Sequence, residues 1–399
     1  MTNAPHKGTS ALPFRTALPY LLLFAGLFYV NFVSRVILSP LLAPVESEFG
    51  IGHASAGGLF FYIAGGMSLS MACSGFVASR LGHRRTVLIS TMLLSVSMIG
   101  VSLASSYGIM RALLLAMGLA GGLYFPSAVS AITSLLEPRH WGKGLSVHEL
   151  APNLAFVTVP ALAAAMSNIL PWRNIFLIYG VLALAAGLLF KIYGRGGDFK
   201  GEAPRAAALR EVVLNRSFPV LVALFSLAVA ASFGPYSMLP LYLVHERGLD
   251  LETANALLTA SRVAGPLVAL ATGFVVDRIG ARRTAALSLL SSGSLTFLLG
   301  PLSGGWLTAT VILQPMLAVC FFSAGVTAIA QVYSHKVRNV AVSLVIPLAV
   351  VFGSGVTPTA LGWFGDRGDF GTGFMILGTL IILGVPLLKF LRFAPGDAT

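Results

Sequence analysis

Three ionisable side chains stand inside long apolar runs of this 399-residue sequence: Arg35, Glu149 and Arg262. An ionised group near the centre of a bilayer costs about 2.5 to 3.5 kcal/mol even on the lenient insertion scale, so one that persists there faces a cavity or a partner. A guanidinium offers a planar, bidentate face to a carboxylate and cannot shed its proton to escape burial. Arg35 and Arg262 sit at similar depth, one in each half of the chain, as a clamp on a small organic anion requires. The competing reading of Arg262 is a structural pairing with backbone carbonyls, Asn31 or Glu149. Asn31 and Phe28 lie four and seven residues before Arg35 and share its helix face. Tyr124 and Tyr236 sit near Pro126 and Pro235, where helix irregularity opens space, and Gln314 is a weaker polar candidate. Glu149 has His148 beside it and Asn153 one turn on. Taking such a pair out of water disfavours its charged forms, which suits reversible protonation and proton coupling. Pairing of Glu149 with Arg139, Lys143 or a gate arginine is the alternative.

These side chains need a scaffold, and composition sets its solvent. Hydrophobic residues make up 56% of the chain and charged residues 10%, with a mean hydropathy of +0.86, which excludes a water-soluble domain of this size. The net charge of +12 sits in short joints between apolar runs and not on one face, so nucleic acid is not an expected partner. Cys73 and Cys320 lack C-x-x-C spacing and nearby His, so they read as small core residues. No Ser-His-Asp arrangement, metal-ligand spacing or nucleotide motif is present; neither an enzyme nor a cofactor is expected. A polar lead from Thr2 to Arg15 precedes an apolar run from Ala17 to Pro40, too long for a cleaved signal and long enough to span.

Apolar runs of about 20 residues, the length a bilayer core demands, predict an all-α membrane protein of twelve transmembrane helices. They lie at 17–42, 54–79, 86–106, 109–135, 143–168, 172–193, 217–244, 253–277, 284–304, 306–333, 339–362 and 371–391. Twenty Lys and Arg, from Lys7 and Arg15 through Lys336 to Arg392, then fall on the side of the termini, and four (Arg111, Arg173, Arg247 and Arg367) on the other. The positive-inside rule places both termini in the cytoplasm. The polar stretch 194–216 divides the chain into an N-terminal bundle, 1–193, and a C-terminal bundle, 217–399, of six helices each. Within the stretch, Arg205 to Arg216 reads either as a surface helix with Leu209, Val212 and Val213 on its apolar side or as a flexible tether. Trp172 and Trp363 suit interfacial anchoring, and the glycines of 118–122 and 353–355 suit close helix contact.

The two halves share a phrase. Gly75 to Thr86 reads G-F-V-A-S-R-L-G-H-R-R-T, and Gly273 to Thr284 reads G-F-V-V-D-R-I-G-A-R-R-T, 198 residues later. Each joins two apolar runs. With the two six-span halves and the polar central stretch, this repeat resembles the joint G-x-x-x-D-R-x-G-R-R of the major facilitator superfamily, and the resemblance covers nearly the whole chain. It implies a monomer that works by alternating access, with Arg80, Arg84, Arg85, Asp277, Arg278, Arg282 and Arg283 at an inner gate; anchoring of the joints to lipid headgroups is the plainer role. The first copy has Ser79 where the family has its acid.

In the first run, Asn31, Phe32, Val33, Ser34, Arg35, Leu38 and Ser39 are similar to the N-Y-x-D-R-x-x-L-S phrase of the anion:cation symporter branch, which carries organic acids. That resemblance implies an anion-binding role for Arg35. The acid linked to proton coupling in that branch is Ser34 here. The run from His148 to Asn153 lacks the glycine ladder of drug:proton antiporters. The expectation is a secondary transporter of a small organic anion, a carboxylate, in the inner membrane, coupled to a proton or a counter-anion. An exporter of a hydrophobic or amphipathic compound, or a sensor that binds without transport, is the alternative.

Overall fold

The computed structural model describes residues 12–166, 169–203, 205–334 and 337–392, so Lys7 and Lys336 of the charge count lie outside the described residues. Every described element is helical apart from one isolated bridge between Leu12 and Leu136. Helix α1 (Phe14–Val36) ends earlier than the expected 17–42, because Pro40, which has no N–H for an α-helical ladder, opens a 3₁₀ turn that leads into α2 (Leu42–Phe49). Then follow α3 (His53–Leu81), α4 (His83–Ser102), α5 (Tyr107–Gly122), α6 (Tyr124–Leu135), α7 (Trp141–Met166) and α8 (Trp172–Tyr193). The short α9 (Ala206–Leu214) precedes α10 (Ser217–His245), α11 (Leu251–Val263), α12 (Gly265–Ile279) and α13 (Ala281–Leu298). The chain closes with α14 (Gly304–Ala318), α15 (Cys320–Val332), α16 (Arg338–Val350), α17 (Thr357–Gly365) and α18 (Phe370–Leu383).

Two of the breaks have a clear cause. Pro126 and Pro266 remove the N–H that would reach back to the carbonyls of Gly122 and Arg262, and the paired helices α5/α6 and α11/α12 part at those turns. Counting α5/α6, α11/α12, α14/α15 and α16/α17 each as one segment, eleven segments among the described residues are long and apolar enough to cross a membrane. Helix α13, the expected ninth span, is not among them. It begins with Arg282 and Arg283 and carries a run of serines. Those hydroxyls are nevertheless satisfied: Ser288 donates to the Leu317 carbonyl of the next helix at 2.8 Å, and within α13 Ser291 donates to the Leu287 carbonyl at 2.7 Å, Ser292 to Ser288 at 2.6 Å and Ser294 to Leu290 at 2.8 Å. Helix α13 packs along α18, α14 and α15.

The repeated phrase folds the same way twice. Gly82 and Gly280 link their helices at φ 82°, ψ 157° and φ 83°, ψ 158°, a conformation open in practice only to glycine. The Thr86 and Thr284 hydroxyls each donate back to that glycine's carbonyl, at 2.8 and 2.9 Å.

Both described chain ends share one face of the molecule, the terminal face: the Leu12 N–H donates to the Leu135 carbonyl (2.9 Å), and the Arg392 N–H to the Ser217 hydroxyl (3.2 Å). On the far face, α2 and the start of α3 meet the ends of α10 and α17. There the Asp366 carboxylate accepts from the N–H groups of His53 (2.6 Å) and Ala54 (3.1 Å), and the Asn255 amide donates to the Pro40 carbonyl (3.1 Å). Glycine permits the tightest crossings: a Cβ at Gly118 or Gly122 of α5 would meet the α3 carbonyls of Ile63 and Met67.

Two minor expectations are corrected. Trp172 is buried and donates to Glu48 at 2.6 Å, so it packs inside the protein and does not float at the interface. The Arg173 guanidinium and then the Trp172 indole hold the Glu48 carboxyl below its ordinary range. Cys73 is exposed, not a core residue. Residues 206–214 form a helix, the first of the two readings; Val212 is buried, its carbonyl accepting from the Tyr333 hydroxyl at 3.1 Å, and Val213 is exposed.

Candidate functional site

Arg35 occupies the last turn of α1, where the helix dipole favours a cation. Asn31, one turn earlier and buried, spends its amide N–H on the Gly121 carbonyl at 3.0 Å; its Oδ1 accepts from Arg35 Nη2 at 3.2 Å. A side chain fixed by α5 thereby aims the guanidinium. Arg35 also lies over the Phe32 ring, 5.3 Å from its centroid, and its buried Nε has no hydrogen-bond partner. Ser34, in the place of the family's acid, turns its hydroxyl back to the Asn31 carbonyl at 2.6 Å.

Arg262 stands in the last turn of α11, just before the break that Pro266 imposes. Its guanidinium is held between two rings, 4.6 Å from the Phe156 centroid and 4.8 Å from that of Tyr236. One nitrogen donates to the Ser232 carbonyl at 2.9 Å, and its buried Nε is unpartnered. The Tyr236 hydroxyl reaches the Val36 carbonyl at 3.3 Å, and the Ser39 hydroxyl donates to the Tyr236 carbonyl at 2.6 Å. Gln314 is buried, donates to the Ala231 carbonyl and the Thr296 hydroxyl at 2.7 and 2.9 Å, and lines a small cavity with Tyr236 and Arg262.

An aromatic column, which the sequence reading missed, joins the two arginines. Phe32, under Arg35, meets Phe156 at 5.0 Å, and Phe156 carries Arg262; Phe233 packs on both rings, at 6.5 and 5.7 Å. Only Phe32 had a signal, one turn from Phe28 on the face already singled out.

His148 is buried and stacks on Phe28, with centroids 4.2 Å apart and planes at 4°. The Tyr124 hydroxyl donates its one proton to the Phe24 carbonyl at 2.8 Å, so its oxygen accepts from His148 Nε2 at 3.2 Å. With Nε2 turned to Tyr124, the unpartnered Nδ1 lies 3.7 Å from a Glu149 oxygen. Glu149 itself is about half exposed (54%), unlike the desolvated carboxylate expected, and acts on Arg35 through its charge. Asn153 donates to the Glu149 carbonyl at 3.0 Å.

At the repeated joints, Arg80, Arg85, Asp277, Arg278, Arg282 and Arg283 are exposed. Arg84 pairs with Asp198 of the 194–216 stretch at 3.3 Å, and Arg282 donates to the Leu391 carbonyl at 2.7 Å. Among the described residues Asp277 enters no ion pair, so the expected gate network is not assembled in this arrangement.

The chain from residue 23 to 269 matches the model of the Major Facilitator Superfamily. It is 23% identical over 393 residues to the cis,cis-muconate transport protein of Acinetobacter baylyi, covering 93% of each chain. It is 22% identical over 391 residues to a probable sulfoacetate transporter, SauU, of Cupriavidus necator, covering 90% of each. The solved structure of the nucleoside transporter NupG superposes with a TM-score of 0.79 at 13% identity, over 94% of this chain and 99% of that one. With its apolar helices, its twice-folded glycine joint and a family match over more than half its length, the chain belongs to the Major Facilitator Superfamily and is a multi-pass membrane transporter, not an enzyme.

Proposed function

We propose that this protein carries a small organic anion, a carboxylate, across the cell's inner membrane by alternating access. The observation that carries the reading is the pair Arg35 and Arg262, each in the last turn of an interrupted helix, each with a buried Nε still unpartnered, joined by Phe32 and Phe156. Interrupted helices with polar groups at mid-membrane are the construction that secondary transporters use for substrate sites. A carboxylate there gives both guanidiniums charge-assisted partners and places its carbon skeleton on the rings. The named cargoes of the two full-length relatives, muconate and sulfoacetate, support the same chemical class.

The reading includes twelve spans, with α13 as the ninth, arranged as bundles 1–193 and 217–399 around the linker 194–216 and with both termini cytoplasmic. Self-satisfied serines let α13 reside in lipid despite its modest hydropathy. One chain suffices as the working unit. The far face, where the two halves are hydrogen-bonded together, is the outer side, and the arrangement is closed to the outside. Protonation at His148 Nδ1 beside Glu149 supplies the coupling; exchange against a second anion is the other driving mode. Arg80, Arg84 and Arg85 with Asp277, Arg278, Arg282 and Arg283 form the inner gate when the terminal face closes.

The test is counterflow in proteoliposomes with labelled mono- and dicarboxylates set against amphipathic cations, for wild type, Arg35→Ala and Arg262→Ala. Acid-specific flux lost in both variants is the expected result. Flux of amphipathic cations that ignores both arginines would replace the anion carrier with an exporter, and saturable binding without flux would make it a sensor.

A further inference from the structure

The far-face seam holds a cluster that the anion site does not use. Glu46 belongs to α2, His53 opens α3 and His245 ends α10. His53 Nδ1 lies 2.8 and 3.0 Å from the two Glu46 oxygens, and His245 Nε2 lies 3.9 Å from Glu46 Oε2. One ligand atom from each residue falls within 4.8 Å of the others, and the two imidazoles are 4.8 Å apart. Glu46 is only 6% exposed. A carboxylate so buried requires positive charge nearby, which either a protonated His53 or a cation shared by the three side chains supplies.

Two imidazole nitrogens and one carboxylate oxygen are the donor set of a zinc-type site, with the fourth position left to water. The His245 side chain is about half exposed, at 47%, and gives an ion access from the far-face solvent. The surroundings brace the set: Asp366 holds the His53 and Ala54 backbone N–H groups, and Phe370 lies against the His53 ring at 5.2 Å. No sequence spacing announces such a site, because its three ligands come from three separate elements.

We propose that Glu46, His53 and His245 bind a divalent transition-metal cation of the zinc class, and that the bound ion clasps the far face shut. Glu46 and His53 come from the helices before the linker and His245 from those after it. Separating the two groups of helices on this face removes one ligand of three. An ion that binds only the joined arrangement stabilises it in proportion to its occupancy. The ligand set stands on this geometry alone; its effect on flux rests on the alternating-access reading above.

The binding experiment titrates purified, chelator-treated full-length protein, carrying no polyhistidine tag, with zinc chloride against a fluorescent zinc chelator. One zinc per chain is expected. Its affinity falls by more than about tenfold in His245→Ala and in Glu46→Gln, because loss of an outer-shell partner alone costs about 10- to 100-fold. Unchanged melting behaviour of the metal-free variants shows that they are folded. Absence of stoichiometric zinc, or binding indifferent to His245→Ala, overturns the site. In the second arm, zinc added on the far-face side slows wild-type counterflow at least tenfold and leaves His245→Ala unaffected. Counterflow that ignores zinc in a wild type shown to bind it overturns the clasp. A protein without acid flux would overturn the transport reading instead, while the titration still reads the site.

Discussion

Arg35 and Arg262 are the same side chain in the same kind of place, the last turn before a helix is interrupted, yet they are held differently. Arg35 is aimed by one side chain, Asn31, and borders a half-exposed carboxylate. Arg262 is wedged between Phe156 of α7 and Tyr236 of α10 with a backbone carbonyl on one nitrogen, so its surroundings come from both groups of helices. In the proposed reading the difference divides the labour: Arg35 would be the oriented anion receptor, whereas Arg262 also touches both halves. On that reading a ligand drawn to Arg262 would compete with its contacts to both halves and so couple binding to a change of state.

The sharpest way to break this comparison is Arg35→Lys. An ammonium cannot reproduce the fork or keep the Asn31 bond in the same geometry. Since a hydrogen bond to a charged group contributes about 1.5 to 3 kcal/mol, acid counterflow should fall about 10- to 100-fold while folding and insertion persist. Wild-type flux in Arg35→Lys would leave the arginine only a structural charge.

Much of this site was legible before the structure, for a physical reason. Lipid makes every internal charge conspicuous, so Arg35, Glu149 and Arg262 announced themselves, and the glycine of the repeated joint announced a backbone conformation that both copies adopt. The aromatic column did not, because Phe156 among 26 phenylalanines looks like any lipid-facing residue until α7 is laid against α11. The exposure of Glu149 was illegible for a similar reason: periodicity gives a face but not what lies opposite it. Counting apolar residues also misjudged Trp172, whose partner Glu48 comes from another helix.

The next perturbation removes what Arg262 alone possesses. A cation–π contact contributes about 1 to 2 kcal/mol as it is desolvated, so Phe156→Ala should shift the balance toward far-face opening by roughly tenfold. Ser39, buried against Tyr236, reports it: a cysteine placed there, in a chain without Cys73 and Cys320, should react with maleimide about tenfold faster in the Phe156→Ala background, a factor of ten being about 1.4 kcal/mol. Equal rates would show that the ring sandwich does not hold the halves.

Glu149→Gln acts on the Arg35 side only. A one-unit pH gradient supplies about 1.4 kcal/mol per proton, enough for about tenfold accumulation. The variant should lose that accumulation and keep counterflow, since exchange needs no net proton movement. Intact pH-driven accumulation would remove Glu149 and His148 from coupling and leave anion exchange as the driving mode.

The smallest effect comes from the terminal face, where the two repeated joints are tied to the rest of the chain in different ways. The first joint lacks the motif's acid at Ser79, but the linker brings one in, and Arg84 pairs with Asp198 at 3.3 Å. The docking there rests mainly on backbone: the N–H groups of His83 and Arg84 donate to the Phe199 and Gly197 carbonyls at 3.1 and 3.0 Å, and the Gly201 N–H donates to Ala78 at 3.1 Å. Asp198 is 60% exposed, and such solvent-facing pairs contribute about 0 to 1 kcal/mol. Asp198→Asn should therefore lower the melting temperature by no more than about 4 °C, on the scale of 2 to 4 °C per kcal/mol for domains of this size. A drop several times larger would mean that the borrowed acid, and not the backbone bonds, ties the linker to the first joint. Among the described residues Asp277 has no ion pair to lose in this arrangement, so Asp277→Asn should leave the melting temperature unchanged and slow only turnover, the step in which the terminal face must close.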